Sequence, residues 1–350
     1  MVTIKEIAQA CNVSIATVSN ILNGKPNVGE ETRKRVLKVI QEMDYTPNSI
    51  AKNLKMNKSS TIGIIAEDIT VFCTPEIIDG ISECCEKNGY QVLLTNMRMY
   101  KKYSDTYYNR PDFGDIVNNE IRELLSKRVE GIIYITAHER SLQCFPDDLK
   151  VPACVAYGQS MNPKFPSVSA DDTAGAYSAV THLIERGHRA IGVITGKDNT
   201  PPTSDRLLGY QRALADAKIH YNPDLVVIGD WGRESGYIHT DTLLQRGVTA
   251  IFCMNDIIAG GVYDRLSEQG LHPGQDVSVV GFDNQIMTEY YFPPLTTMAL
   301  PLFEIGYTAC QTVINILEQP SKSHIMAPNP HNLYLERCRL ICRSSVARLK

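Results

Sequence analysis

The residue clusters in this chain that could make or break covalent bonds each lack one requirement. Gly192-Val-Ile-Thr-Gly196-Lys197-Asp198 resembles a phosphate-cradling loop, but its glycines are one residue too close. Asp198 also stands where a magnesium-binding hydroxyl would be needed. His182, Glu185 and His188 lack the His-Glu-x-x-His order that puts two zinc ligands and a base on one helix face. The ten cysteines are scattered without paired C-x-x-C spacing, which argues against zinc or a disulfide framework. Cys84 and Cys85 share a predicted helix with Ile77, Ile78 and Ile81 and read as core residues. No nucleophile elbow is present, so the expectation is a protein that is not an enzyme and needs no cofactor or metal.

The chemistry that remains is recognition. Ile4, Ile7 and Ala8 recur at helical spacing, Asn12 suits a left-handed turn, and Val18, Ile21 and Leu22 form a second apolar face. Ser14 can cap the second helix, which leaves Ile15, Ala16 and Thr17 projecting toward a ligand. That is the pattern of a helix-turn-helix. A third helix from about Glu30 to Met43 carries Val36, Ile40 and Met43 on one face, and Pro47 can open a short helix bearing Ile50, Ala51 and Leu54. Residues 1–58 hold nine Lys or Arg against five acids, a surplus of +4, whereas the whole chain carries −4 and the remainder therefore −8. A basic head on an acidic body fits a polyanion-binding head, because neutralising phosphates releases counterions.

These segments resemble the headpiece and hinge of the LacI/GalR family of bacterial transcription regulators: Val2-Thr-Ile-Lys-Glu-Ile-Ala, Val13-Ser with Ala16-Thr-Val-Ser, Leu22-Asn-Gly, Glu31-Thr-Arg-Lys-Arg-Val and Tyr45-Thr-Pro-Asn. The resemblance implies a homodimer on a palindromic operator, with one recognition helix per subunit in the major groove and paired hinge helices in the minor groove. It marks Thr3, Ser14, Ile15, Ala16, Thr17, Ser19, Asn20, Asn23, Asn48, Ala51 and Leu54 as DNA-binding, Leu54 as the residue that wedges between central base pairs. Asn20 departs from the family, many members of which have arginine there; asparagine can instead read adenine.

Positioning these groups calls for a headpiece over residues 1–45, a hinge helix and linker over 46–60, and a body over 61–350. The body alternates apolar strand-like runs (61–66, 91–95, 131–136, 151–156, then 190–194, 225–228, 250–254 and 277–282) with amphipathic helices. Two such series predict two doubly wound parallel-sheet lobes; the regulatory core that the family resemblance implies is similar in fold to periplasmic sugar-binding proteins. The N-lobe is expected at about 61–160 plus 295–325, and the C-lobe at about 163–292 plus the C-terminal tail. Ligands of such sheets sit beyond the carboxyl ends of the strands.

His182-Leu-Ile-Glu-Arg-Gly-His, Asp205-Arg-Leu-Leu-Gly-Tyr, Asn255-Asp, Gly281-Phe-Asp and Pro293-Pro-Leu-Thr-Thr extend the family resemblance over the body. It implies an effector cleft in which Arg206 and Asp283 hold ligand hydroxyls. Trp231, the only tryptophan, either covers an apolar sugar face or packs in the core; Asn255 either contacts ligand or caps its helix; Phe72 and Asp171 complete the set. The segment Met97 to Asp115, with Tyr100, Tyr103, Tyr107 and Tyr108, is longer than the family's usual connection and reads as a lid, a subunit contact or exposed padding. With no apolar run of membrane-spanning length and no signal peptide, the expected place is the cytoplasm, without membrane contact. The resulting expectation is a repressor of a carbohydrate-utilisation operon governed by a sugar-like effector. A soluble sugar-binding module without operator function is the alternative.

Overall fold

A computed structural model describes residues 2–22, 24–45, 59–319 and 332–349. The chain divides into two compact units, Met1–Ser59 and Ser60–Lys350.

The first unit is a bundle of α1 (Ile4–Ala10), α2 (Ile15–Leu22) and α3 (Glu30–Glu42). Thr3 opens α1 with a capping box: its hydroxyl accepts from Glu6 N–H, and the Glu6 carboxylate accepts from Thr3 N–H at 2.7 Å. Asn12 adopts φ 49° in the turn, the left-handed geometry that asparagine tolerates. Ile7, Ala8, Cys11, Val18, Ile21 and Val36 are buried together, and Ile40 and Met43 pack on them.

The second unit holds two six-stranded sheets. Its strands are β1 (Thr61–Ala66), β2 (Gln91–Asn96), β3 (Gly131–Ile135), β4 (Ser141–Leu142), β5 (Ala153–Ala156), β6 (Gln159–Ser160), β7 (Ser167–Ala170), β8 (Ile191–Ile194), β9 (Val226–Val227), β10 (Ala250–Cys253), β11 (Ser278–Asp283), β12 (Thr296–Ala299), β13 (Leu333–Glu336) and β14 (Arg339–Ile341). Its helices are α4 (Thr74–Asn88), α5 (Met99–Tyr103), α6 (Phe113–Ser126), α7 (Asp172–Glu185), α8 (Pro201–Asp216), α9 (Arg233–Gln245), α10 (Asp256–Glu268) and α11 (Leu302–Glu318). The N-lobe sheet runs β13-β7-β5-β3-β1-β2, all parallel. The C-lobe sheet runs β14-β12-β11-β10-β8-β9, parallel except for β14. Helices cover both faces of each sheet, so the central strands are buried on both sides and read as continuous apolar runs.

The lobe boundaries differ from the sequence expectation at three places. β7 lies beyond the Pro163–Pro166 stretch yet pairs with β5 in the N-lobe, so that stretch is not the divide. β12 was expected in the N-lobe and instead continues the C-lobe sheet beside β11; only α11 returns, packing on α4. The tail is split, β13 completing the N-lobe sheet and β14 the C-lobe sheet. The chain therefore crosses between lobes after Ala170, after Ala299 and after Glu336. A short alternating tail carries no signal for which sheet edge it will cap, because both edges offer the same unpaired backbone groups.

Candidate functional site

In the headpiece, the Ser14 hydroxyl accepts from Thr17 N–H at 3.1 Å and lies 2.9 Å from the Thr17 hydroxyl, fixing the first turn of α2. Beyond that cap Ile15 is 48% exposed, and Ala16 is exposed beside it. Thr17, Ser19 and Asn20 are half-buried along the same helix, and Thr3 is exposed but uses its hydroxyl in the α1 capping box. Lys5, Lys25, Lys34, Arg35 and Lys38 are exposed around this core. The arrangement presents small polar and apolar groups at a helix start, ringed by cations, which suits base edges and phosphates. Asn23, Asn48, Ala51 and Leu54 lie outside the described residues.

In the body, α8 and the carboxyl ends of the C-lobe strands β9, β10 and β11 bring Arg206, Trp231, Asn255 and Asp283 together. Arg206 projects from α8 and is 2% exposed. Its Nε donates to Asp172 Oδ1 at 2.8 Å, Nη1 donates to the Met254 carbonyl and stands 3.6 Å from Asp283 Oδ1, and the guanidinium lies 3.7 Å from the Phe282 ring centroid. Two carboxylates and an aromatic face compensate a cation that burial alone would disfavour. Asp283 ends β11 at φ 106° and accepts from Gln285 Nε2 at 3.3 Å. Burial pushes its carboxyl up to about 7, against the pull of Arg206. Behind it, Asp256 accepts from the Thr297 hydroxyl at 2.6 Å and from Gln285 N–H at 2.8 Å; a side chain at Gly281 would meet Asp256 Oδ1 at 2.3 Å. The glycine of Gly281-Phe-Asp is thus a close-approach position.

Trp231 is half-buried, with its ring 5.6 Å from the Arg206 guanidinium. It lies over Gly196, where a Cβ would come within 2.0 Å of the indole, so Gly196 serves tryptophan packing rather than a phosphate. Asn255 does both local jobs available to its amide: Oδ1 caps α10 by accepting from Ile258 N–H at 2.7 Å, and Nδ2 donates to the Trp231 carbonyl at 3.0 Å. It positions the tryptophan. Asp171 caps α7 through Ala174 N–H at 2.9 Å, and its own N–H donates to the Glu336 carbonyl at 2.8 Å, tying the first crossing to the third. Phe72 is exposed on the N-lobe loop after β1 and shares none of these contacts.

A second cluster escaped the sequence reading. Glu67, fully buried just after β1, accepts from Tyr134 Oη at 2.7 Å, Ala137 N–H at 2.7 Å and Arg140 Nη1 at 3.1 Å, and from Tyr107 Oη. Tyr108 stacks on Arg140 at 4.7 Å and Tyr100 meets His138 edge-on at 5.4 Å. The tyrosine-rich segment therefore folds inward over the carboxyl ends of the N-lobe strands, and Tyr107 is fully buried. The available signal was position, since Glu67 directly follows a strand and Arg140 closely follows another. His182 and His188 are structural: His188 Nδ1 lies 2.9 Å from the Thr249 hydroxyl, and burial with the nearby Arg186 charge holds His182 down at about 4.

Residues 3–48 match the family model for bacterial regulatory proteins of the lacI family, and residues 180–346 match the periplasmic binding protein-like domain. The chain is 30% identical over 331 residues to the ribose operon repressor of Haemophilus influenzae, covering 93% of this chain and 94% of that protein. This chain belongs to the LacI family. The LacI-family repressor PurR of Vibrio campbellii is 31% identical over 319 residues, covering 90% of this chain and 91% of its own. The Lac repressor dimer bound to operator and the anti-inducer ONPF superposes with a TM-score of 0.75 over 99% of both chains, at 24% identity, and shows the shared fold. A LacI family regulator from Enterococcus faecium with bound ribose superposes at 0.60 over 83% of this chain and all of its own, at 27% identity. As a LacI-family member the chain is a DNA-binding transcription regulator with an effector-binding core. Its curated relatives named above are repressors, not enzymes. Among the described residues no helix is long and apolar enough to cross a membrane.

Proposed function

We propose that this chain is a homodimeric cytosolic repressor whose operator affinity is set by a small sugar or sugar derivative bound between the lobes, in the service of a carbohydrate-utilisation operon. Two heads read two half-sites of a palindrome: Ser14, Ile15, Ala16, Thr17, Ser19 and Asn20 face the major groove, with Thr3 and Asn23 beside them, and Asn48, Ala51 and Leu54 act in the minor groove. The exposed Ile286, Tyr290 and Phe292, at 70%, 80% and 92%, supply an apolar surface on the C-lobe for the second subunit. The names of the ribose operon repressor and the ribose-bound Enterococcus faecium regulator favour a sugar.

The observation that carries this reading is the position of Arg206 between two carboxylates that belong to separate crossings. Asp172 follows the first crossing, and the Asp283 carbonyl accepts from Leu300 N–H at the second. A ligand whose hydroxyls compete for Arg206 and Asp283 changes bonds that lie beside the lobe crossings, and only differential binding to two lobe arrangements can shift a two-state equilibrium. A thermal-shift screen of sugars, sugar phosphates and purines tests it, since a ligand at a hundred times its Kd adds about 2.7 kcal/mol. A hit must also change operator affinity. A stabilising ligand that leaves operator binding untouched would favour a sensor module instead.

A further inference from the structure

Beside the Arg206 cluster lies a pocket of about 220 Å³ walled by both lobes: Glu139, Ser169 and Leu333 from one side, Asp171, Asp172 and Asp205 from the other. That is room for several water molecules, and so for a small organic ligand. Its charge is one-sided. Arg140 reaches the rim but is held by Glu67, and Arg206 is held by Asp172 and Asp283. Glu139, Asp171 and Asp205 remain without an ion-pair partner among the described residues.

Two carboxylate oxygens lack a hydrogen bond. Asp172, with a side chain 1% exposed, uses Oδ1 for Arg206 while its buried Oδ2 has no partner; Glu139 uses Oε1 for the Ser169 hydroxyl while its buried Oε2 has none. An unmatched buried acceptor is costly, and an unmatched charged one more so. Burial, then the Asp172 charge and the hydrogen bond that a protonated Glu139 gives Asp172, raise the Glu139 carboxyl well above the carboxylate range, so Glu139 keeps a proton directed at Asp172 until a cation replaces it; burial with Asp172 and Asp171 raises Asp205. Among the described residues no three acidic, imidazole or thiol groups converge as a metal ion requires. The acids instead line different walls, and Leu333 and Leu335 add an apolar strip.

We propose that this pocket is a subsite for an organic ammonium group, with Glu139 Oε2 and Asp172 Oδ2 as its acceptors and Asp171 and Asp205 as its surrounding field. An ammonium has three donors and no acceptor; binding here, it displaces the proton that Glu139 holds toward Asp172 and leaves the two carboxylate oxygens as its acceptors. The inference rests on the ligand-responsive reading above and narrows it: the effector bears an amine, as an amino sugar does, and is not a phosphate ester or a carboxylate.

The test is calorimetry on the full-length chain with glucosamine, galactosamine, putrescine and agmatine, beside glucose, galactose, glucose 6-phosphate and succinate. The expected result is that at least one amine binds with sub-millimolar Kd, at least thirtyfold tighter than its uncharged counterpart where one exists, and that Glu139→Gln or Asp205→Asn weakens it at least tenfold. The circular dichroism and melting of each variant establish that it is folded. Absence of binding by all four amines, preference for the phosphorylated or uncharged compounds, or an affinity unmoved by both substitutions would overturn the proposal. Operator binding measured with each compound separates the two readings. Amine binding that depends on Glu139 but leaves operator affinity unchanged keeps the subsite and removes the effector assignment. Operator release by a neutral sugar, insensitive to Glu139→Gln, does the reverse.

Discussion

Arg206 and Asp172 are joined by a 2.8 Å hydrogen bond between side chains that are 2% and 1% exposed, and Asp172 is the second residue past the first crossing between the lobes. Its neighbour Asp171 is bonded to Glu336 at the third crossing, and Asp283, the other carboxylate beside Arg206, is bonded through its carbonyl to Leu300 at the second. One guanidinium thus touches residues at the first two crossings, and the sequence neighbour of one of them is bonded at the third.

Removing that guanidinium leaves two carboxylates buried without a cation. Arg206→Ala is expected to lower folding stability by about 3–5 kcal/mol, the usual cost of breaking a buried pair. Arg206→Lys keeps the charge but not the forked geometry, so it should fold and lose most of the effector response while still binding operator. Urea unfolding and operator titration with effector check the pair; a normal ligand response in the lysine variant would place the binding site elsewhere.

Asp283 makes the effector response depend on pH. Its carboxyl is held at about 7 by burial, against an ordinary value near 3.8, so the folded protein keeps a proton there that the unfolded chain releases. Stability contributed by this group therefore falls as pH rises from about 4 to 7, the reverse of a salt-bridged aspartate. A ligand hydroxyl that donates to the carboxylate requires the ionised form, so effector affinity should rise between pH 6 and 8. Asp283→Asn should flatten both trends, as read by calorimetry and denaturant midpoints at four pH values. Unchanged slopes in that variant would refute the assignment.

Tyr107 donates its hydroxyl to the buried Glu67 carboxylate. Tyr107→Phe keeps the ring and deletes one donor of a charged acceptor, with an expected loss of about 1–3 kcal/mol. Replacement at the exposed Tyr103 should cost under about 0.5 kcal/mol. Equal, negligible losses at both positions would mean that the segment is padding after all.

Trp231 is the only tryptophan, and its ring lies on Gly196 and beside Arg206. Its emission should respond saturably to the effector, and Gly196→Ala should shift the spectrum without ligand, because the added methyl needs the space the indole fills. An effector that binds without altering emission would put the ligand away from Trp231.

The helix-turn-helix was legible because capping, turn and core residues all fall within twenty-two positions: Thr3, Asn12 and Ser14 do locally what their types suggest. The parallel strands were legible because both their faces are buried. The placement of β12, β13 and β14 was not, since strand order depends on edges formed by distant segments. Arg206 and Asp283 came from motif resemblance; that Asn255 donates to the Trp231 carbonyl as well as capping its helix goes with the turn at Trp231, φ 73°, which no local pattern announces. Tyr107 and Glu67, forty residues apart, meet only once the sheet exists.

The most direct measurement is the affinity of the full-length chain for an operator duplex selected from a random pool, followed by anisotropy across salt concentrations with and without the effector. Neutralising on the order of eight phosphates gives a slope near −7 in log affinity against log salt. The account predicts that steep slope, a strong preference over scrambled duplex, and a change of at least tenfold in operator affinity when the effector is added. Salt-insensitive or sequence-indifferent binding, or specific binding that no cleft ligand alters, would contradict it.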